Sequence, residues 1–245
     1  LSYDLGYMDP ALKALQSFIG KYPKSTFNQE AKELLVNTLA NTSNYKESLK
    51  LYESLGNKSD HVIKLYPRLL YGSAVELIND QQIEKADELL TKLLQVPYNT
   101  VQLPLANFWK GEIAYRNGLI DPSINYLLNY LKNPVINGEV NITHARYILA
   151  YGYMKQEQYA IAKDYFELIA KAIARGSSAI EQDAYLRAAD CYFMNKDFKQ
   201  ALKMYELVIN NQFVSADYAL YQKGIIAGAL NKNVEKISLL QSLET

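Results

Sequence analysis

The sequence has little of several residue types that define common classes of protein. Its 245 residues include one cysteine, Cys191, and only two histidines. One cysteine cannot form an internal disulfide, and it cannot supply a zinc site built from several cysteines. Lys and Arg together number 26, as do Asp and Glu, so the formal net charge is zero. This balance argues against a surface built mainly to bind nucleic acid or anionic lipid.

Long apolar runs are also missing. No run approaches the ~20 residues that a membrane-spanning helix needs, so we predict no transmembrane segment in this chain. Hydrophobic residues nevertheless make up 49% of the sequence and charged residues 21%. These shares are typical of folded proteins and exclude wholesale disorder.

One pattern repeats along the chain. Segments 153–170 and 192–209 align without a gap, and each places an alanine nine positions after a tyrosine and four before an aromatic residue. The frame recurs every 36 to 39 residues, which indicates a repeat protein. The residues at its central position, called anchors below, are Ala11, Ser48, Ala86, Ser123, Ala162, Ala201 and Ile237.

Each repeat has the pattern of two helices. Apolar residues recur at helical spacing over 185–192, residues 194–197 interrupt them, and a second apolar stripe begins at Phe198. A small anchor lets the two helices approach closely, so Ala150 is expected to face Ala162. No alternating apolar and polar run predicts a hairpin. The sequence therefore predicts an all-α fold.

Turn and cap residues agree with these boundaries. Asp121-Pro122 combines a capping aspartate with a proline suited to a first helical turn. Gly118 suits the tight turn before it, and Gly176 suits a helix stop after Arg175. Ser178 and Glu181 form the pattern of a capping box.

This pattern resembles the tetratricopeptide repeat (TPR) family, whose unit is a helix–turn–helix of about 34 residues. Small residues mark family positions 8 and 20, and aromatics mark 4, 11 and 24; the matching residues are Tyr185, Ala189, Tyr192, Ala201 and Tyr205. The resemblance implies a right-handed α-solenoid, a superhelix of stacked antiparallel helix pairs. We expect one array over 1–245, with a half repeat at 1–25, repeats at about 29–62, 67–100, 104–137, 143–176 and 182–215, and a partial repeat at 218–245.

Nothing in the sequence supports enzymatic chemistry. His61 and His144 are isolated from the carboxylates and cysteines that catalysis or metal binding requires, so we interpret both as surface residues. Cys191 lies inside a helical segment and is interpreted as packing. The nucleotide-binding and hydrolase motifs GxxxxGK[ST], GxGxxG and GxSxG are absent. We therefore predict no catalytic residue, no cofactor and no metal.

The TPR resemblance also implies a binding surface. First-helix positions outside the helix-pair contact line the concave groove of such arrays, centred here on 105–155. The candidate groove residues are Tyr71, Phe108, Trp109, Glu112, Tyr115, Arg116, Tyr147, Tyr151, Arg187, Asp190 and Phe193. We expect Trp109 at the rim and a peptide or helix of another protein in the groove. The alternative is that these aromatics seal contacts between repeats.

The sequence also bears on three other functions. The family's dicarboxylate clamp for chaperone tails needs lysines where this chain has Glu33 and Asp183, so we predict no such clamp. A structural spacer within a larger protein is one alternative. RNA binding by a helical-repeat reader is another, although zero net charge and the lack of a regular Arg/Lys stripe argue against nucleic acid.

Two expectations concern context. Segments 18–25 and 27–35 resemble bacterial periplasmic arrays, such as outer-membrane assembly lipoproteins, which favours a periplasmic or cell-envelope location over the cytoplasm. Ala11 lacks most of its partner helix, and apolar Ile237, Leu239 and Leu240 lie near the last residue. Solenoids normally end in polar-faced capping helices, so we expect the chain to be a piece of a longer array.

Overall fold

Helices follow one another along the chain. The structure is a computed structural model that describes residues 2–3, 5–97, 99–171 and 176–243, and no strand occurs among them beyond one isolated bridge between Asn137 and Val140. The chain divides into two units, Leu1–Ile113 and Ala114–Thr245, and each is described by itself. The single array over 1–245 stays a prediction, whereas the all-α helical repeat is confirmed.

Among its described residues, the first unit contains six helices and most of a seventh. They are α1 (Met8–Lys21), α2 (Asn28–Asn41), α3 (Tyr45–Ser54), the short α4 (Asp60–Ile63), α5 (Tyr66–Asn79), α6 (Ile83–Gln95) and α7 (Gln102–Arg116), whose last turn belongs to the second unit. The second unit continues with α8 (Ile120–Lys132), α9 (Ile142–Lys155), α10 (Tyr159–Ile169), α11 (Ala179–Met194), α12 (Phe198–Asn210), α13 (Ala216–Ala229) and α14 (Asn233–Gln241).

The turn inside each helix pair has one recurring conformation. Its middle residue has a positive φ, between 59° and 75°, and the next residue donates its N–H to the carbonyl five positions earlier. This is the left-handed termination that satisfies the last carbonyls of a helix. Gly118 has this conformation as predicted, and the corresponding residues elsewhere are Ser43, Gln81, Glu157, Lys196 and Asn231. The positive-φ residue therefore lies five positions before the anchor in every pair except the last, where it lies six before.

The anchors pack as the spacing predicts, except Ile237, which is 56% exposed. In the first unit, Ser48 on α3 is fully buried, and its hydroxyl donates to the carbonyl of Val36 on α2 at 2.8 Å. In the second unit, Ala150 and Ala162 are both fully buried in one apolar core. A larger side chain at either position would push the two helices apart, because such interiors are close-packed.

Glycines allow a second kind of close approach. A Cβ added to Gly72 on α5 would lie 2.2 Å from Cγ of Tyr45 on α3, far inside van der Waals contact. On α9, a Cβ at Gly152 would lie 3.3 Å from Cγ1 of Ile124 on α8, a contact that small shifts relieve. In both cases the first helix of one pair packs against the second helix of the preceding pair.

The predicted helix starts are partly confirmed. Ser178 and Glu181 form the capping box at the start of α11. The capping role given to Asp121 is wrong, because Leu119 occupies the cap position and Asp121 lies in the first turn of α8. The Asp121 carboxylate instead accepts a hydrogen bond from Nε2 of Gln156 at 2.5 Å. The helix stop after Arg175 lies outside the described residues, and α10 ends earlier, at Ile169.

Candidate functional site

In the first unit, the predicted groove residues of α7 lie in the interior. Phe108 is fully buried, Trp109 is 8% exposed, and their rings meet edge to face with centroids 5.5 Å apart. Glu112 is buried as well, whereas Tyr71 on α5 is half-buried. The expected rim position of Trp109 is therefore wrong. Large apolar rings in a helical pattern satisfy a core as well as a groove, and here they fill the core.

A small cavity of about 240 Å³ lies elsewhere in the first unit. Asn37 on α2 donates to the hydroxyl of Tyr3, and its Nδ2 lies 3.3 Å from Nε2 of His61. Glu33 accepts from the backbone N–H of Ser59 at 3.2 Å. Hydrogen bonding to the Ser59 side chain, supported by Gln29 and this N–H, lowers the pKa of the Glu33 carboxyl group against the opposing effect of burial. His61 is exposed, as its interpretation as a surface residue requires.

Three predicted groove residues of the second unit have separate surroundings. Tyr115 at the end of α7 is half-buried beneath Nζ of Lys155, which lies 4.4 Å from the ring centroid. Arg116 is exposed. Phe193 on α11 packs against Phe198 of its own helix pair, with ring centroids 5.8 Å apart.

The other predicted groove residues of the second unit meet in one hydrogen-bonded cluster. It joins four helices, and we call it the Tyr–Asp–Arg cluster. Its members are Tyr147 and Tyr151 on α9, Asp183, Arg187 and Asp190 on α11, Tyr205 on α12, and Tyr218 on α13.

On the α9 side of this cluster, Asp183 is the shared hydrogen-bond acceptor. The hydroxyls of Tyr147 and Tyr151 donate to its Oδ2 at 2.7 and 2.6 Å. Nε of Arg187 donates to Oδ1 of Asp183 at 3.3 Å and to the Tyr151 hydroxyl at 3.2 Å. The two tyrosines are one helical turn apart, so their hydroxyls converge on a single carboxylate. The Asp183 side chain is 28% exposed and that of Arg187 is 25% exposed.

On the opposite side of the cluster, Asp190 is the shared hydrogen-bond acceptor. Its Oδ1 accepts from the hydroxyls of Tyr205 at 2.6 Å and Tyr218 at 3.2 Å, and its Oδ2 accepts from Nη1 of Arg187. The Arg187 guanidinium also lies over the Tyr218 ring, 5.4 Å from its centroid. Arg187 therefore links both carboxylates, and these bonds fix the rotamers of residues on α11, α12 and α13.

Burial and these bonds shift the protonation equilibria of the cluster. Burial, followed by the hydrogen bond to Asp183, raises the pKa of Tyr147 to about 12. The pKa values of Tyr151 and Tyr205 are raised as well, first by burial and then by the neighbouring carboxylates. Burial also raises the pKa of Asp190, against the opposing effect of Tyr205 and Arg187. The pKa of Tyr218 is raised too, first by burial and then by Asp190. All four tyrosines are therefore neutral hydrogen-bond donors at neutral pH.

Sequence reasoning missed Asp183, Tyr205 and Tyr218 as members of the cluster. Tyr205 was explained by the aromatic position of the repeat frame, and Asp183 entered only as a departure from the dicarboxylate clamp. The available signal was that Asp183, Arg187 and Asp190 recur at spacings of four and three along α11, which places them on one side of a helix.

A cavity of about 360 Å³ lies on another side of α11, between α10 and α12. Its lining includes Tyr192, whose hydroxyl donates to Oε1 of Glu167 at 2.6 Å. That bond and burial raise the pKa of Tyr192 to about 12. Tyr192 follows Arg187 by five residues, roughly 140° around the helix axis, so it stands apart from the Tyr–Asp–Arg cluster.

The part of the chain that the structure describes contains neither a membrane-spanning helix nor a cluster of metal ligands. None of its helices is both long and apolar enough to cross a lipid bilayer. No group of three or more His, Cys, Asp or Glu side chains there could hold a metal ion.

Comparison with known families matches residues 183–212 to the tetratricopeptide repeat. This span contains most of α11, its left-handed turn at Lys196 and α12, so the match covers most of one helix pair. The fold of the chain is a TPR-like helical repeat. Comparison of its sequence with curated proteins gave no match.

Solved structures extend this TPR-like assignment at the level of the fold. YrrB, described as a TPR protein with an unusual peptide-binding site, aligns with a TM-score of 0.55 and 15% identity over 86% of this chain and 98% of YrrB. The apo form of RapI aligns with a TM-score of 0.57 and 13% identity over 98% of this chain and 74% of RapI. The C-terminal part of a TPR repeat-containing protein from Cytophaga hutchinsonii aligns with a TM-score of 0.51 and 15% identity, over 99% and 91% of the two chains.

Proposed function

We propose that this TPR-like protein is a non-enzymatic scaffold for protein–protein interaction, and that it binds a peptide or helix of a partner on the Tyr–Asp–Arg cluster. One observation carries the proposal. Helices α9, α11 and α13 present half-buried side chains of Tyr147, Tyr151, Arg187 and Tyr218 as one bonded surface.

The composition of this surface supports a protein partner. Tyrosine and arginine are enriched at the centres of protein interfaces, where they carry a large share of the binding energy. A tyrosine has few rotatable bonds, and the bonds to Asp183 already fix the hydroxyls of Tyr147 and Tyr151. Little side-chain entropy is then lost when a partner docks, which favours affinity.

The arginine has hydrogen-bonding capacity left for a partner. Among the described residues, Arg187 donates only from Nε and Nη1, and its side chain is 25% exposed. A guanidinium has five N–H donors, so the remaining ones can bind carbonyl oxygens of a peptide backbone. This gives the surface a means of orienting an extended segment, or the C-terminal end of a helix, without regard to its sequence.

The test is a selection of random displayed peptides on the full chain, followed by fluorescence anisotropy of the selected peptides. Tyr151→Ala should weaken their binding by about 1–3 kcal/mol. Tyr192→Ala is the matched control, because it removes a half-buried tyrosine of α11 that stands outside the cluster. Peptides that bind equally well to wild type, Tyr147→Ala and Tyr151→Ala would refute this site. A chain that selects no peptide would favour the structural spacer instead.

A further inference from the structure

The charges of the Tyr–Asp–Arg cluster do not balance. Two carboxylates, Asp183 and Asp190, face one guanidinium, that of Arg187. The Asp190 side chain is only 7% exposed, and a carboxylate so buried must keep its cationic partner close. We therefore assign the positive charge of Arg187 to its pair with Asp190. The uncompensated negative charge then lies on Asp183, whose side chain is 28% exposed.

Several charged groups of the surrounding helices have other partners or surroundings. Arg146 of α9 interacts with Tyr165 of α10, and Lys203 of α12 lines the cavity on another side of α11. On α13, Lys223 pairs with Glu206 of α12, and Asp217 next to Tyr218 is exposed and negative. On α9, Lys155 lies over the ring of Tyr115. The cluster itself therefore keeps a formal excess of one negative charge, which favours a cationic ligand.

The hydrogen-bonding groups around Asp183 have the same preference. The hydroxyls of Tyr147 and Tyr151 each donate their single proton to its Oδ2, so their phenol oxygens can offer a ligand only lone pairs. The two rings meet edge to face with centroids 5.0 Å apart, and aromatic rings also attract cations. A ligand that complements this part of the surface is rich in donors and positively charged.

We propose that the cluster selects a lysine or arginine side chain of the partner segment, which binds at Asp183 between Tyr147 and Tyr151. This inference rests on the proposed function and specifies the chemistry of its ligand. It is opposite in sign to capture of an acidic tail, because the excess charge here is negative. Arg187 then orients the segment through its backbone, while Asp183 reads the cationic side chain.

The experiment uses the peptides selected on the full chain and their variants. We expect the peptides that lose binding to Tyr151→Ala to share one Lys or Arg. Replacing that residue by norleucine should weaken binding to wild type about tenfold, and raising NaCl from about 50 to 500 mM should remove most of this difference. The salt test needs only the wild-type protein.

The variant Asp183→Asn gives a second arm. It removes the charge and keeps an oxygen that accepts from the two tyrosines, so the norleucine replacement should then cost less than about twofold. Asp164→Asn is its control, since Asp164 lies on α10, pairs only with Lys163 among the described residues, and carries the same charge. Peptides that depend on Tyr151 but carry an acidic or uncharged anchor would overturn the cation proposal and leave the interaction site intact. Peptides whose binding does not depend on Tyr151 would overturn both the cation proposal and the interaction site.

Discussion

Arg187 donates from Nη1 to Oδ2 of Asp190, three residues farther along α11, and the Asp190 side chain is only 7% exposed. This bond connects the buried half of the Tyr–Asp–Arg cluster to its exposed half. A buried ion pair adds little net stability compared with apolar side chains of the same shape. Its loss is nevertheless costly, because one charge is left without a partner in a dry environment.

The first prediction follows from this asymmetry. Arg187→Ala should lower the free energy of unfolding by about 3 kcal/mol, because Asp190 stays buried with only the hydroxyls of Tyr205 and Tyr218 as donors. Asp190→Asn should cost less, since a neutral amide is cheaper to bury than an unpaired carboxylate. Urea unfolding followed by far-UV circular dichroism measures both changes. The double variant should cost less than the sum of the two, and additive costs would show that the pair is not coupled.

The second prediction concerns alkaline pH. The pKa of Tyr147 is about 12 in the folded chain, whereas its ordinary value is 10.0. Above pH 10 the unfolded chain releases this proton and the folded chain keeps it, so the unfolded state gains stability as pH rises. The contribution of Tyr147 to stability is therefore complete below pH 10 and is lost as pH rises towards 12.

Tyr147→Phe tests the sign of this effect. The variant lacks the titrating group, so its stability should fall less steeply above pH 10 than that of wild type. Tyrosinate absorbance near 295 nm and circular dichroism, measured on the same samples, should show that part of the tyrosine titration accompanies unfolding. Identical slopes for the two proteins, or a titration completed while the helices persist, would contradict the prediction.

The helix pairs could be predicted from the sequence because their cause is local and periodic. An anchor such as Ala162 meets a partner twelve residues earlier, and a single close contact of this kind fixes the frame of the whole pair. Burial of Phe108 and Trp109 could not be predicted in the same way, since a large ring satisfies a groove or a core equally well. The decision depends on the neighbouring helices, which helical periodicity does not specify.

The cluster itself was only half predictable, for a different reason. Helical spacing places Tyr147 and Tyr151 on one side of α9 and Arg187 on one side of α11. Their common partner Asp183 is 36 residues from Tyr147, and that bond depends on how the two helices pack and on the rotamers chosen. The repeat pattern already accounts for Tyr205 as a packing residue. Nothing else in the sequence indicates its hydrogen bond to Asp190.

The third prediction concerns the contact between Gly72 and Tyr45. Helix propensity alone favours Gly72→Ala by about 1 kcal/mol, since Gly72 lies inside α5. The added Cβ would lie 2.2 Å from Cγ of Tyr45, an atom that moves only if the χ1 rotamer of Tyr45 or the backbone changes. Overpacking costs about 1–3 kcal/mol, so we expect net destabilisation. Combining the change with Tyr45→Ala should restore part of the loss, and Gly152→Ala should be milder because its contact is 3.3 Å.

The last prediction separates backbone strain from crowding at the helix-pair turn. An added Cβ meets nothing within 4 Å at either Gly118 or Gly20, but Gly118 has φ +75° whereas Gly20 lies in α1 with no positive φ. Left-handed backbone costs an L-residue roughly 1–2 kcal/mol, partly offset by the smaller entropy of the unfolded alanine chain. Gly118→Ala should therefore lower the free energy of unfolding by about 1 kcal/mol, whereas Gly20→Ala should raise it by about 0.5 kcal/mol. Gly118→Asn should be nearly neutral, because asparagine tolerates this conformation and Asn231 adopts it in the last pair. Urea unfolding of the three variants measures these differences. If Gly118→Ala is as stable as Gly20→Ala, the positive φ of the turn is not the reason that glycine is favoured at position 118.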